Sequence, residues 1–347
     1  MANPDANDAA APEISVLIAT RDRAEELAQT LEALARLRRD GLVVEFVLVD
    51  NGSADATLRV LEAFRDRLPL RILTEPVAGK NRALNRALAE APLGRLVAFT
   101  DDDVAPGEDW LLRMAEAAHR RPDRAIFGGR IELLWPPGPR PPWADLPSVQ
   151  SYVFCAHDLG PDERDYPPRR FPFGANLWLR REAMGAGRRF DERLGPRPDD
   201  RIMGSETSFL KRLTEEGHAM LYCPEAVVRH RVQPELLRPS EALRRAWRLG
   251  RQGPHVEGLC RPELLRRRPW LWRTLRVASF VRGLTAFAAA SLTLEAARRM
   301  ERRLNATQVL AYNLESLRLA RKPAPGAGKN GQGPPLDPAT GPASTLP

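Results

Sequence analysis

An α/β fold with a mostly parallel sheet, followed by a helical and basic C-terminal extension, is what this sequence predicts from three observations. Short apolar runs recur through the first hundred residues, each followed by a stretch with helical spacing. That βαβα order builds a parallel sheet with helices on both faces. Polar residues gather directly after the apolar runs, where ligands bind in open sheets of this kind. Charge divides the chain as well. Residues 231–322 hold 20 Lys and Arg against 7 Asp and Glu, a net of +13, and the segment after them is neutral. Residues 1–230 therefore carry −5 of the overall +8.

The elements follow in order. Residues 14–19, ISVLIA, form a continuous apolar run, as a strand buried on both faces requires. Leu27, Leu31, Leu34 and Leu37 repeat at helical spacing over residues 22–38. A second strand is expected at 43–49 and a helix at 54–67, with Leu58, Leu61 and Phe64 on one face. A short strand at 69–73, an Ala- and Leu-rich helix at 80–90 and a strand at 95–100 complete the alternation. From residue 135 to 172 prolines crowd in and periodicity is lost. Trp135, Trp143, Tyr152 and Phe154 make this a long ordered loop rather than a linker. Helical spacing returns at 205–217, a strand at 220–228, and Arg-rich helix after Pro239.

Composition narrows the function classes. The 43% apolar content is enough for a buried core. Residues 1–12 lack the basic start and apolar run of a signal peptide, so a cytoplasmic location is expected. Cys155, Cys223 and Cys260 have no metal-binding or disulfide spacing and read as packed thiols. His119, His157, His218 and His255 show no mutual metal spacing either. Residues 283–294 are uncharged over too short a length to span a bilayer, which suits a buried or interfacial helix. Trp247, Trp270 and Trp272 would pack helices or anchor at an interface.

Three acids, Asp101, Asp102 and Asp103, follow the strand at 95–100. Adjacent carboxylates repel unless a cation or donors compensate. Mg²⁺ or Mn²⁺ would do so and could bridge to substrate phosphates, whereas helix capping would explain an isolated acidic cluster. This cluster is one of an ordered set: ISVLIATRDR, VLVDNGS, GKNRALN, FTDDDVAPGEDWL, FGANLWLRREA, FDERLGP, GSETSFLKRL and YCPEAVVRHRV. Together these motifs resemble family 2 glycosyltransferases over residues 13–232. The resemblance implies the Rossmann-like GT-A fold and transfer from a nucleotide-sugar donor with inversion.

It also implies roles. Thr20, Arg21, Asp50, Arg82, Asn85 and Asp101 would bind the donor nucleotide, Asp101 reaching the ribose or the metal. Asp103 would ligate Mg²⁺ or Mn²⁺, with His230 completing the shell. Asp102 would meet the donor sugar, and Gly174 and Asn176 the sugar and acceptor. The general base falls on Glu206, where relatives carry Glu-Asp before the threonine. Here Ser205-Glu206 precedes Thr207, so the acid is one methylene longer. Glu serves as a general base as readily as Asp when it reaches the proton. Asp199 and Asp200 are nearby alternatives that read better as a solvated turn.

The main alternative is a catalytically impaired nucleotide-sugar-binding relative, which the Ser205-Glu206 departure would mark. A dehydrogenase is excluded by the lack of GxGxxG after any strand, and a nucleotidyltransferase by the lack of glycine in ISVLIATRDR. No nucleic-acid-binding motif is present. The expected layout is a disordered lead at 1–12, the GT-A domain at 13–232, the basic helical extension at 233–322 and a disordered Pro/Gly tail at 323–347. A glycan or lipid-linked acceptor, polysaccharide or glycoconjugate assembly and peripheral contact with the inner face of a membrane complete the expectation.

Overall fold

A computed structural model describes residues 12–185, 187–197, 201–260 and 269–321. The tail, the lead apart from Pro12, and Asp199 and Asp200 lie outside these residues, as do the side chains of Cys260, Trp270 and Trp272.

Nine strands form one sheet. They are β1 (Ile14–Thr20), β2 (Val44–Asp50), β3 (Leu70–Thr74), β4 (Leu96–Phe99), β5 (Val104–Pro106), β6 (Ile126–Leu134), β7 (Arg164–Asp165), β8 (Leu177–Arg180) and β9 (Met220–Arg231). The order is β3-β2-β1-β4-β8-β6-β9-β5, with β7 beside β9. Strands β1–β4, β6 and β9 run one way, and β8, β5 and β7 run against them. The sheet is therefore mixed but mostly parallel. The reversed strand β8 comes from FGANLWLRREA, whose Trp178 is fully buried and stacked on Phe127 at 5.6 Å.

Helices cover both faces: α1 (Ala24–Ala35), α2 (Thr57–Ala63), α3 (Lys80–Glu90), α4 (Trp110–Arg120), α5 (Pro147–Phe154), α6 (Arg181–Met184) and α7 (Ser205–Glu215). One core lies beneath α1, α2 and α4, around Leu27, Leu31, Phe46 and Trp110. The opposite face is packed by α3 and α7 through Ala83, Leu84, Phe209 and Leu210. Alternate residues of β2 divide between the two cores, Phe46 and Leu48 against Val47 and Val49, as the two-residue pleat requires.

The extension consists of α8 (Pro239–Cys260), α9 (Pro269–Ala290) and α10 (Ala296–Arg321). The Pro-rich excursion is the surface on which it docks. Trp143, Val149, Val153 and Phe154 form a third core with Ala242 and Ala246 of α8 and with Met300 and Leu304 of α10. Among the described residues, no helix is long and apolar enough to cross a membrane.

A buried charge also ties α10 to α8. Glu315 accepts from Arg251 at 2.8 Å and lies 3.0 Å from His255 Nε2. Burial pushes its carboxyl up, but His255 and Arg251 overcome this and hold it near about 2, against a usual 4.5. The folded pKa is depressed, so this stabilisation is present above about pH 4.5 and is lost as pH falls toward about 2. Glu315→Gln is expected to lower the melting temperature at pH 6–7 and to remove part of the acid dependence below pH 4.5. Melting curves that match the parent across that range would contradict the assignment.

Candidate active site

The carboxyl ends of β1, β2 and β4 open onto a cleft of about 1160 Å³. Thr20, Arg21, Asp101–Asp103, Gly174, Glu206 and His230 line it. Residues separated by more than 200 positions meet here because of the sheet register. The antiparallel pairing of β5 with β9 sets His230 opposite Val104, and the Arg231 amide donates to the Asp103 carbonyl at 2.9 Å. His230 Nε2 thereby comes within 3.4 Å of Asp103 Oδ1. Asp101, Asp103 and His230 each offer one ligand atom, all within 4.8 Å of one another.

Two basic side chains hold the acids. Lys80 Nζ lies 2.6 Å from Asp101 Oδ1 and 3.4 Å from Glu206 Oε1. Burial disfavours its charge, but the two carboxylates raise its pKa. Burial likewise pushes Asp101 up, and Lys80, with His230 and Arg23 behind it, holds its carboxyl below the usual range. Arg23 pairs with Asp103 at 2.9 Å and Asp102 at 3.5 Å. Asp102 also accepts from the Thr20 hydroxyl at 2.8 Å. Burial dominates at Asp102 and, with Asp103 and Asp101, pushes its carboxyl up to about 7 against Arg23 and Thr20.

These residues fit a divalent cation on a specific observation. Asp103 Oδ1 and His230 Nδ1 are buried with no hydrogen-bond partner among the described residues. Buried polar atoms normally find a partner. A carboxylate oxygen and an imidazole nitrogen with spare capacity beside a second carboxylate suit Mn²⁺ or Mg²⁺.

Local backbone structure sets the position of Glu206. Gly204 has φ +100°, a left-handed value that suits glycine, and α7 starts directly after it. This puts Glu206 in the first turn of α7, against Gly174. A Cβ on Gly174 would lie 2.8 Å from Glu206 Cδ and 2.9 Å from Cγ. The glycine of FGAN therefore makes room for Glu206. Ser205 is buried, and a Cβ at Gly195 would come within 2.8 Å of its hydroxyl. The small residue before the acid thus sits close against Gly195.

Four residues expected at the donor or acceptor do not line the cleft. Asp50 is buried and accepts from the Ser53 amide at 3.2 Å. Asn85 bonds the Phe190 carbonyl at 3.0 Å and its amide at 2.8 Å, and Arg82 pairs with Glu192 at 3.1 Å. Both clamp the FDERLGP loop, whose Gly195 and Pro196 do line the cleft. Asn176 is fully buried, accepting from the Trp110 indole at 2.9 Å and donating to the carbonyls of Arg130 at 2.8 Å and Ala226 at 2.7 Å. Here these three clamps act on the site through what they hold.

Lys80, Arg23 and Asn51 were not singled out in the sequence. Asn51 Oδ1 accepts from the Gly79 amide at 2.6 Å, and its Nδ2 donates to the carbonyls of Glu75 and Val77. It thereby shapes the turn that presents Lys80. The signal for Lys80 was present, a lysine after glycine at the first position of a helix in a strand–helix turn. Arg23 carries no comparable signal.

Residues 15–183 match the model for Glycosyl transferase family 2. These residues carry a family 2 glycosyltransferase domain. The chain is 25% identical over 242 residues to Glycosyltransferase AglE of Haloferax volcanii, covering 69% of this chain and 72% of that protein. It is also 25% identical over 295 residues to Succinoglycan biosynthesis protein ExoM of Rhizobium meliloti, covering 76% and 90%. The fold resembles that of a mannosyltransferase from Pyrobaculum calidifontis, solved in complex with GDP-Man and Mn²⁺, with a TM-score of 0.56 and 18% identity. That match covers 88% of this chain and 87% of the other. The GT-A expectation is met.

The Gly174–Glu206 contact gives a direct test. Gly174→Ala is expected to displace Glu206 and cut sugar transfer by about 100-fold, a misplacement effect of known size, while the circular dichroism spectrum stays that of the parent. Transfer within a few-fold of the parent would show that the contact does not set the geometry.

Proposed function

We propose that this glycosyltransferase moves a sugar from a nucleotide-diphosphate donor to a hydroxyl acceptor with inversion of the anomeric centre. The observation that carries the reading is one cleft holding Glu206 and the Asp101–Asp103–His230 set, joined through Lys80. Thr20 and Arg21 line the donor end of this reading, with Asp50 behind them and Arg82 and Asn85 supporting the wall. Asp101, Asp103 and His230 would hold Mg²⁺ or Mn²⁺, which when bound supplies Lewis-acid neutralisation of the diphosphate. Asp102 faces the donor sugar.

The chemistry of the chain's own groups is simple. The acceptor oxygen forms a bond to the anomeric carbon as the bond to the diphosphate oxygen breaks. Glu206 takes the hydroxyl proton, and Lys80 and Arg23 stabilise charge on the departing side. Lys80 also orients Glu206 before substrate arrives, because it holds Oε1 from the metal side of the cleft. The crowding around Ser205 gives its side chain a packing role.

The acceptor in this reading is a glycan or lipid-linked species in polysaccharide or glycoconjugate assembly, and the protein works at the inner face of a membrane. The division into a transferase domain at 13–232 and an extension at 233–322 belongs to the same proposal. Support for the membrane comes from α9. Leu275, Val281 and Leu284 are about half exposed or more, and Leu292 and Leu294 just beyond it are almost bare. The segment that carries these exposed apolar residues has a net charge of +13, which complements anionic lipid.

Two measurements test these readings. Nucleotide-sugars presented with and without Mn²⁺ in a thermal-shift panel identify the donor. With that donor, Glu206→Gln is expected to lower transfer by at least about 1,000-fold, within the range general-base catalysis supplies, without weakening donor binding. A parent protein that binds donor but never turns it over would favour the impaired relative instead. Separately, Val281→Glu with Leu284→Glu is expected to reduce sedimentation with phosphatidylglycerol vesicles at least tenfold. Equal sedimentation of parent and variant would remove the membrane reading.

A further inference from the structure

The wall of the cleft opposite the strand ends is built by α8, and it is unusually basic. Arg245 and Arg248 lie one turn apart on α8 and line the cleft, together with Arg201 from the segment leading into α7. Among the described residues, none of these three has a carboxylate within ion-pair distance. Glu241, whose charge acts on Arg248, is paired with Arg244 at 2.9 Å. Arg245 donates to the Cys155 thiol at 2.7 Å, and its Nε is buried without a partner. Burial and the charges of Arg245, Arg248 and Arg23 together lower the proton affinity of Arg201, with Asp101 acting against them from beyond ion-pair distance. Arg248 is lowered in the same way, by burial and then by Arg244 and Arg245, with Glu241 acting against them. Arginines that crowd one another inside a cleft without counter-charge form a natural seat for an anion, and guanidinium groups match phosphate geometry.

The position of the row says which substrate would bring that anion. Gln252, four residues beyond Arg248 on α8, reaches Thr207 at 3.4 Å, next to Glu206. At about 1.5 Å of rise per residue, Arg248 lies about 6 Å and Arg245 about 10 Å along the helix from that contact. The row therefore starts beside the base and leads away from it. Helix α8 packs on α5, α7 and α10, and in the glycosyltransfer reading the acceptor approaches Glu206 from this wall. Lys80 and Arg23 already serve the metal side.

We propose that Arg201, Arg245 and Arg248 form a phosphate subsite for the acceptor, which is therefore a phosphate-ester-linked molecule whose hydroxyl is presented to Glu206. This rests on the glycosyltransfer reading for the identity of the base, but the subsite itself binds phosphate without nucleotide or metal. Recognition is by charge and bidentate hydrogen bonding, so an uncharged acceptor of the same shape binds poorly.

The experiment uses the full chain and two matched probes, octyl phosphate and 1-octanol, titrated calorimetrically in EDTA. The parent is expected to bind octyl phosphate at least tenfold more tightly than octanol. Arg245→Gln with Arg248→Gln is expected to erase that difference. Arg245→Lys with Arg248→Lys restores part of it, which a merely structural role would not do, and melting curves report that each variant is folded. A second arm titrates the donor identified by the panel, with Mn²⁺, and is expected to give affinities within twofold for parent and Gln variant. Equal binding of the two probes by the parent overturns the subsite. Loss of donor affinity in the Gln variant, with octyl phosphate binding unchanged, overturns its assignment to the acceptor. Failure of every donor in the panel would instead count against the proposed function, because the alkyl phosphate arm needs no donor.

Discussion

Asp101, Asp102, Asp103 and Glu206 bring four carboxyl groups into one partly dehydrated space, and their mutual repulsion is the constraint around which this fold is organised. Lys80 and Arg23 each answer two of them. In a low-dielectric site such pairs are held strongly only when both partners are positioned in advance. Asn51 shapes the turn before Lys80, Thr20 fixes Asp102, and the β5–β9 register brings His230 beside Asp103. The sheet order and the paired acids are thus parts of one electrostatic arrangement.

Much of the scaffold was legible in the sequence because parallel strands and amphipathic helices leave periodic signals. The runs ISVLIA, VVEFVLV and RLVAFT became β1, β2 and β4, and the helix beginning at Lys80 starts where its spacing indicates. The reversed strand β8 and the short β5 were not legible. Neither has the length to show alternation, and each is defined by its neighbours rather than by its own residues. The Pro-rich excursion was expected as an ordered loop. Its content, α5 and an apolar docking face, emerges only from packing against α8 and α10.

The site was legible in type more than in detail. Asp101, Asp103, His230, Thr20 and Glu206, taken from separate motifs, meet in one cleft. Arg82, Asn85 and Asn176 belong to the same motifs but do not line that cleft: the two asparagines hold backbone and Arg82 pairs with the Glu192 carboxylate. A motif marks positions that matter to a site without separating residues that meet a ligand from those that hold the residues that do. That distinction depends on which way a side chain leaves its helix, which one sequence does not display. Ser205 is the converse case, a departure from the family pattern that sits close against Gly195.

The asparagines of α3 have a mechanical consequence. Asn81 bonds the carbonyls of Asp191 and Leu194 while Asn85 grips Phe190 through both its carbonyl and its amide. The helix that carries Lys80 and the loop that leads toward the base are therefore stitched into a single stiff wall. Helix α8 meets the rest of the cleft through an amide contact from Gln252 to Thr207 and a thiol contact from Arg245 to Cys155. Through the asparagine bonds, a shift of the 190–194 loop therefore carries α3, and with it Lys80, along.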